Sequence, residues 1–531
     1  MSESQVPMQN AGLAGTRAGR IALPAGAGEF APVHSSARSV LFSTLERIFS
    51  FPAMLAAFLV GGVFVSGRRF LVDPDMWWHL KVGESIFATH RFPTTDPYSF
   101  TVHGQPWLAY EWLGEVALAA VQRIGGLRGL DALLIILGSA VMLAIYAFTT
   151  LRTGNSKAGF AASAILLILA APSFSLRPQM FGYLFLVLTL IALELFRQGK
   201  RAALWCLPVL MLLWVNTHGS WIIGLGAIFI YWVCGLVEFR VGGLESQRWS
   251  AGERKRISFA FLMCLCVLPL TPYGTRLAMS PFEFASSLPL NVTQILEWQP
   301  MPFNLPGGKI FLALLLGFFV MQVAFQFSWR LAELGLFLFG TMMACLHIRF
   351  LLVFVPFFAP ILAVMIARWM KGYDRRKDRF VLNAVLMAAV VAGVVHYFPS
   401  QDKLQHIVAE HWPVGAVNYM SDHEVPGPLY NAYLFGGYLV WARGPEHKVF
   451  IDGRADVYER GGIFQDYLRI SRVQSGALDV LRSYGIRSCL IERDEALGTL
   501  LSATPEWKRV YVDSTAALYV RGQDSARSAA D

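Results

Sequence analysis

Two aspartates flank a single proline, Asp73-Pro74-Asp75, and are followed closely by Trp77, Trp78 and His79. Carboxylates held against indoles lose water, which raises their pKa toward the range of a useful general base. The two-residue spacing also lets both reach one divalent cation such as Mg or Mn through oxygen. The plainer reading is a helix N-cap, with Asp75 opening a helix over Met76–Thr89, but a cap accounts for only one of the two aspartates. His79 lies one helical turn after Asp75, on the same face, where it can orient a carboxylate. Glu111 and Glu115 are four apart around Trp112. Glu111 reads equally as a second acid of the site and as solvated surface, whereas Glu115 reads as surface.

Three polar groups interrupt apolar stretches: Arg177-Pro178-Gln179, Asn216-Thr217-His218-Gly219 and His347-Ile348-Arg349. Convergent arginine and histidine suit an anionic phosphate. The alternative is that each side chain snorkels to a headgroup, an account that fits Arg349 better than His218. Further on, Ile451-Asp452-Gly453-Arg454 with Asp456 and Tyr458 makes another polar cluster, for which an ordinary Asp–Gly turn is the preferred reading.

The elements that must position these groups are mostly apolar. Of 531 residues, 55% are hydrophobic and only 15% charged, against about 25% charged in soluble domains. The mean hydropathy is +0.47. The net charge of +9 is not gathered into one stripe, which argues against a nucleic-acid partner and for a lipid bilayer. Runs long enough to span occur near 47–66, 130–151, 158–174, 179–196, 202–216, 220–238, 257–271, 309–327, 329–346, 350–367 and 380–397, so a polytopic α-helical membrane protein with about eleven spans is expected. Basic residues concentrate in alternate loops, among them Arg152, Lys157, Arg254, Lys255, Arg256, Arg375 and Arg376. That asymmetry places the N-terminus in the cytoplasm and the C-terminus outside.

The expected organisation is a disordered tail over 1–46, a transmembrane domain over 47–397 and a small extracytoplasmic α/β domain over 398–531. An outer loop at 67–129 would carry interfacial helices over Met76–Thr89 and Trp107–Ile124, with Trp77, Trp78, Trp107 and Trp112 at headgroup level. A second outer loop at 272–308, with four prolines from Pro289 to Pro306, is expected to be irregular. Strands are expected at Lys448–Asp452, Ser488–Glu492, Arg509–Val512 and Ala517–Val520, and helices at Gly462–Val473 and Ala477–Tyr484. No two of the six cysteines share one aqueous region, so neither a disulfide nor a zinc site is expected.

An acid just after the first span, then an interfacial helix and a long loop, resembles the C-type superfamily of polyprenyl-phosphate-sugar glycosyltransferases. Asp75 with His79 resembles the acid-then-histidine pattern in the first loop of its protein O-mannosyltransferases, and the run to Arg91-Phe92-Pro93 resembles the segment that closes the first interfacial helix. Asp73 to Leu80, Arg177-Pro-Gln, Asn216-Thr-His-Gly and Ile451-Asp-Gly-Arg also resemble a group of bacterial membrane proteins placed with that superfamily. The resemblance implies inverting transfer of a sugar from a polyprenyl-phosphate carrier to an acceptor (a lipid, glycan or protein) at the outer face of the inner membrane. It casts Asp75 or Asp73 as base and Glu111 as a looser second acid, with His79, Arg177, His218 and Arg349 as substrate-binding groups. The usual Asp-Glu pair is replaced by Asp-Pro-Asp, which leaves the need for Mg or Mn open. A transporter or flippase of an envelope precursor, or a non-catalytic assembly protein, is the alternative; Glu194 and Glu333 are the charges nearest mid-span.

Overall fold

In the computed structural model, residues 44–67, 70–287 and 289–522 are described. Most of the stretch read as a tail, 1–43, lies outside them. The contacts divide the chain into Met1–Ile48, of which a helical turn over 44–48 is described, and a compact unit from Phe49 to Asp531.

Helices stand at all eleven apolar runs. Six are long and apolar enough to cross a bilayer: Trp112–Thr153, Ser156–Ser173, Gln179–Arg197, Pro306–Phe325, Ile348–Ala367 and Phe380–Tyr397. Four are shorter but apolar: Phe51–Ser66, Arg201–Val215, Trp221–Cys234 and Leu331–Leu346. The remaining run falls in Ala251–Val267, whose first two turns carry Glu253, Arg254, Lys255 and Arg256. The chain is a polytopic α-helical membrane protein, and among its described residues six helices are long and apolar enough to span.

Local chemistry sets the joints. Gly154 takes a left-handed φ of 65°, and the Asn155 side chain then accepts from the backbone N–H groups of Lys157 and Ala158, which closes one helix and opens the next. The 42-residue helix Trp112–Thr153 breaks at Gly126, at φ 56° and ψ −148°, a conformation open in practice only to glycine. The break separates an arm, which carries the acids, from the spanning part. At the far end of that helix, Glu333 pairs with Arg152 at 3.2 Å and Glu194 with Arg330 at 2.7 Å. The two glutamates nearest mid-span are thus neutralised at a bundle end, and do not favour the transporter reading.

The opposite end is capped by the segment beyond Tyr397. Its four-stranded sheet runs in the order β4 (Leu429–Asn431), β5 (Ser488–Glu492), β7 (Ala516–Arg521), β6 (Trp507–Val512); a separate small sheet joins β1 (Phe239–Val241), β2 (Leu244–Ser246) and β3 (Trp329–Arg330). β4 is parallel to β5 and the other neighbours are antiparallel. Ile463–Ser471 and Ala477–Ser483 are helices, as expected. Residues 448–452 are not a strand of this sheet. They run alongside the first loop instead, with Val449 N–H donating to the Tyr98 carbonyl, Phe100 N–H to Val449, and Thr101 Oγ1 to Phe450.

The tryptophans of the first loop correct a second expectation. Trp77, Trp78 and Trp107 are buried in protein rather than set at headgroups. Trp77 packs against Trp412, Tyr438 and Trp441, with ring centroids 4.7–6.0 Å away. The second loop is also mostly helical, as Thr275–Ser287, which holds Pro281 in its interior, Pro289–Gln294 and a 3₁₀ turn Leu296–Trp298; Pro289 and Pro306 sit at helix starts and Pro300 and Pro302 between helices.

Since Trp77 is fully buried, Trp77→Ala is expected to cost about 3–5 kcal/mol. Thermal unfolding read by a thiol-reactive dye, which gains access to buried Cys489, measures this. An unchanged midpoint would contradict the docking of the C-terminal segment on this loop.

Candidate functional site

Asp73 and Asp75 do different things. Asp73 Oδ1 accepts the Asp75 backbone N–H at 3.0 Å, at the first residue of the helix Asp75–Thr89. That leaves the Asp75 carboxylate free to face sideways, where Oδ1 accepts Trp78 Nε1–H at 3.1 Å. Arg177 closes the group: its Nε donates to Asp73 Oδ2 at 2.6 Å, and its Nη1 reaches Asp75 Oδ2 at 2.9 Å and Glu297 Oε1 at 3.0 Å. Burial lifts the Asp75 carboxyl to about 6, against the pull of Arg177 and with the repulsion of Asp73. It is therefore mainly ionised at neutral pH, with a proton affinity close to ambient.

The second half of the site is built on Glu111, just before the arm. His218 Nε2 lies 3.3 Å from Glu111 Oε1, and His79 Nε2 lies 3.5 Å from Oε2. His79 turns its Nδ1 to Glu115 at 3.0 Å, so it serves these glutamates and not Asp75. Ser220 N–H donates to His218 Nδ1 at 3.0 Å, which fixes the tautomer with its proton on Nε2, aimed at Glu111. Burial pushes Glu111 up to about 8, partly offset by Arg349 and Arg177. Burial, with Arg349 and Arg177 adding to it, takes His218 down to about 3, and burial likewise holds His79 well below its usual range. At neutral pH this half is a row of neutral groups in contact with one another.

Arg349 lies over the Trp298 ring at 4.3 Å, close enough to act on both Glu111 and His218. Among the described residues no carboxylate lies within ion-pair distance of it. Arg177, expected to meet a phosphate, is paired with three carboxylates through Nε and Nη1, and among the described residues Arg349 is the cation of the site without one. A chain of contacts therefore gathers Asp73, Asp75, Glu111, His79, Arg177, His218 and Arg349 at one bundle end. As for Mg or Mn, the guanidinium stands between the carboxylates that would bind it, and the described residues hold no cluster of three suitable ligands. The donor set does not fit a divalent ion while Arg177 is in place.

The C-terminal segment forms one wall. A Cβ on Gly453 would fall 1.9 Å from Asp75 Oδ1, and one on Gly437 would fall 2.4 Å from the Pro74 carbonyl. Only glycine allows this approach. The Asp452-Gly453-Arg454 stretch is not a plain turn. Arg454 is fully buried, paired with Asp96 at 2.5 Å and Asp452 at 2.6 Å, and lies over Trp107 at 4.7 Å. Tyr110 donates to Asp456 at 2.7 Å, which fixes the residue next to Glu111.

With this geometry in hand, known structures can be compared. The arabinofuranosyltransferase AftD from Mycobacteria superposes at a TM-score of 0.50 and 13% identity, over 90% of this chain and 41% of that one. The chain has the C-type glycosyltransferase fold. The archaeal oligosaccharyltransferase AglB from Archaeoglobus fulgidus, solved with an inhibitory peptide and a dolichol-phosphate, matches at 0.46 and 12% identity (92% and 75% covered). ArnT from Cupriavidus metallidurans, bound to undecaprenyl phosphate, matches at 0.44 and 14% (92% and 99%). These two lie too far off to add to the fold assignment. No family model and no curated protein matches the sequence.

In this C-type fold, sequence reasoning missed Glu297, Asp96 and the Gly453 contact. Glu297-Trp298 repeats the pairing of Glu111-Trp112, an acid beside an indole in a loop, and that signal could have found it.

Glu111 keeps its proton to about 8 in the fold but has an ordinary value of 4.5 when unfolded. Folding therefore takes up a proton between those limits, and stability falls as pH rises through them. Asp75 does the same only from 3.8 to about 6, and His218 opposes it only from about 3 to 6.5. Between pH 6.5 and 8 the thermal midpoint is expected to drop in the parent and to drop less steeply in Glu111→Gln, where Glu115 and Glu495, also raised by burial, still release protons. Parallel profiles would contradict a protonated Glu111.

Proposed function

We propose that the chain is a glycosyltransferase that moves a sugar from a polyprenyl-phosphate carrier to an acceptor, with inversion, at the outer face of the bacterial inner membrane. The N-terminus is then cytoplasmic and the C-terminal segment outside, in line with the basic inner loops. The observation that carries the reading is Asp75 sharing one cluster with Arg349, which has no carboxylate partner among the described residues.

Asp75 takes the proton of the acceptor hydroxyl as its oxygen attacks the anomeric carbon. The bond from that carbon to the phosphate oxygen breaks on the opposite face, and its electron pair leaves with the carrier phosphate. Arg349 meets the departing charge, and neutral Glu111 and His218 offer it hydrogen bonds. Arg177 keeps Asp75 in place and charged. The fold itself supports the lipid-borne donor.

The test is transfer of labelled sugar from a panel of polyprenyl-phosphate sugars in proteoliposomes. Asp75→Asn is expected to lose about 10²–10⁴-fold in rate, and Arg349→Ala about 10²–10³-fold, with normal elution on gel filtration. The parent profile should be bell-shaped, rising near pH 6 as Asp75 ionises and falling near 8 as Glu111 does. Full activity in both Asp73→Asn and Asp75→Asn removes the acid–base role.

A further inference from the structure

We infer that Arg177 is the resident cation of the acidic pocket, with its guanidinium where a divalent metal would have to sit between Asp73, Asp75 and Glu297. The contacts are arranged as ligands are around an ion. Asp75 Oδ2 and Glu297 Oε1 converge on a single nitrogen, Nη1, at 2.9 and 3.0 Å, and Asp73 Oδ2 approaches Nε from the side at 2.6 Å. A hard cation would draw carboxylate oxygens to about 2.0–2.6 Å, so it would occupy the volume of the guanidinium itself. Arginine and metal exclude one another here.

The position is anchored in the backbone. Pro178 follows directly and opens the helix Gln179–Arg197, and its ring lies where a Cβ on Gly114 would fall, 2.6 Å from Pro178 Cβ. Gly114 stands three residues after Glu111, so the cation and the second acid share a frame. A guanidinium stays protonated throughout the accessible pH range. The acids thus keep their counter-charge whatever the supply of metal. Shortening residue 177 would strip the counter-charge from three carboxylates and leave a cation-sized space among them. The inference stands on this geometry and not on sugar transfer, and its test uses no sugar.

Mn²⁺ titrated into the purified full-length chain and followed by electron paramagnetic resonance reads it directly. The parent is expected to leave the free aquo-ion signal unchanged. Arg177→Ala should take up one Mn²⁺ per chain, and Arg177→Ala with Glu297→Gln should lose it again. Should Arg177→Ala fail to fold, Arg177→Met keeps the stem volume and is titrated in its place. A parent that binds one Mn²⁺ and loses it on Asp73→Asn overturns the inference, as does a folded Arg177 variant that binds none.

Discussion

The structure depends on how three acids are held together, two of them largely out of water and Glu297 partly in it. Asp73, Asp75 and Glu297 crowd around one guanidinium, and Glu111 sits among two histidines nearby. Crowded, desolvated carboxylates repel one another and hold protons, so such a group persists only if the surrounding frame outweighs that cost. Three elements far apart in sequence meet in that frame: the arm before Gly126, the Pro178 helix start, and the C-terminal segment pressed on through Gly437 and Gly453. Without any one of them the acids would be wet and ordinary.

The C-terminal segment is held by a joint that is itself charged and dry. Arg454, Asp452 and Asp96 have no solvent exposure in their side chains, and Tyr458 donates to Asp452 at 2.8 Å. A buried ion pair adds little net stability over an apolar substitute, yet breaking one leaves an uncompensated charge. Such a joint tolerates one register. That suits its position, because the residue between Asp452 and Arg454 is the glycine against Asp75. The backbone pairing of Val449 with the Tyr98 stretch serves the same alignment.

Much of this was legible in the sequence, and the pattern of hits and misses has a physical cause. Apolar runs announce helices because the bilayer demands about 20 apolar residues in a row. Asp75, Glu111, Arg177, His218 and Arg349 stand out because polar groups at the ends of such runs are costly. What failed was pairing. Nothing local tells Arg177 that its partners are Asp73 and Asp75, 104 and 102 positions away, rather than a phosphate. Trp77 and Trp107 looked interfacial because indoles favour that depth, and their burial depends on a segment more than 300 residues later. Residues 448–452 have strand composition, but their backbone partner is the first loop and not the sheet.

The central claim is a division of labour, with Arg177 committed to the acids and Arg349 with His218 left to face an anion. Electron cryo-microscopy of the full-length chain with a polyprenyl phosphate bound tests it most directly. The account requires phosphate density between Arg349 and His218, with Arg177 still on Asp73 and Asp75. A phosphate held by Arg177 with both aspartates released, or one seated away from Arg349, would contradict it.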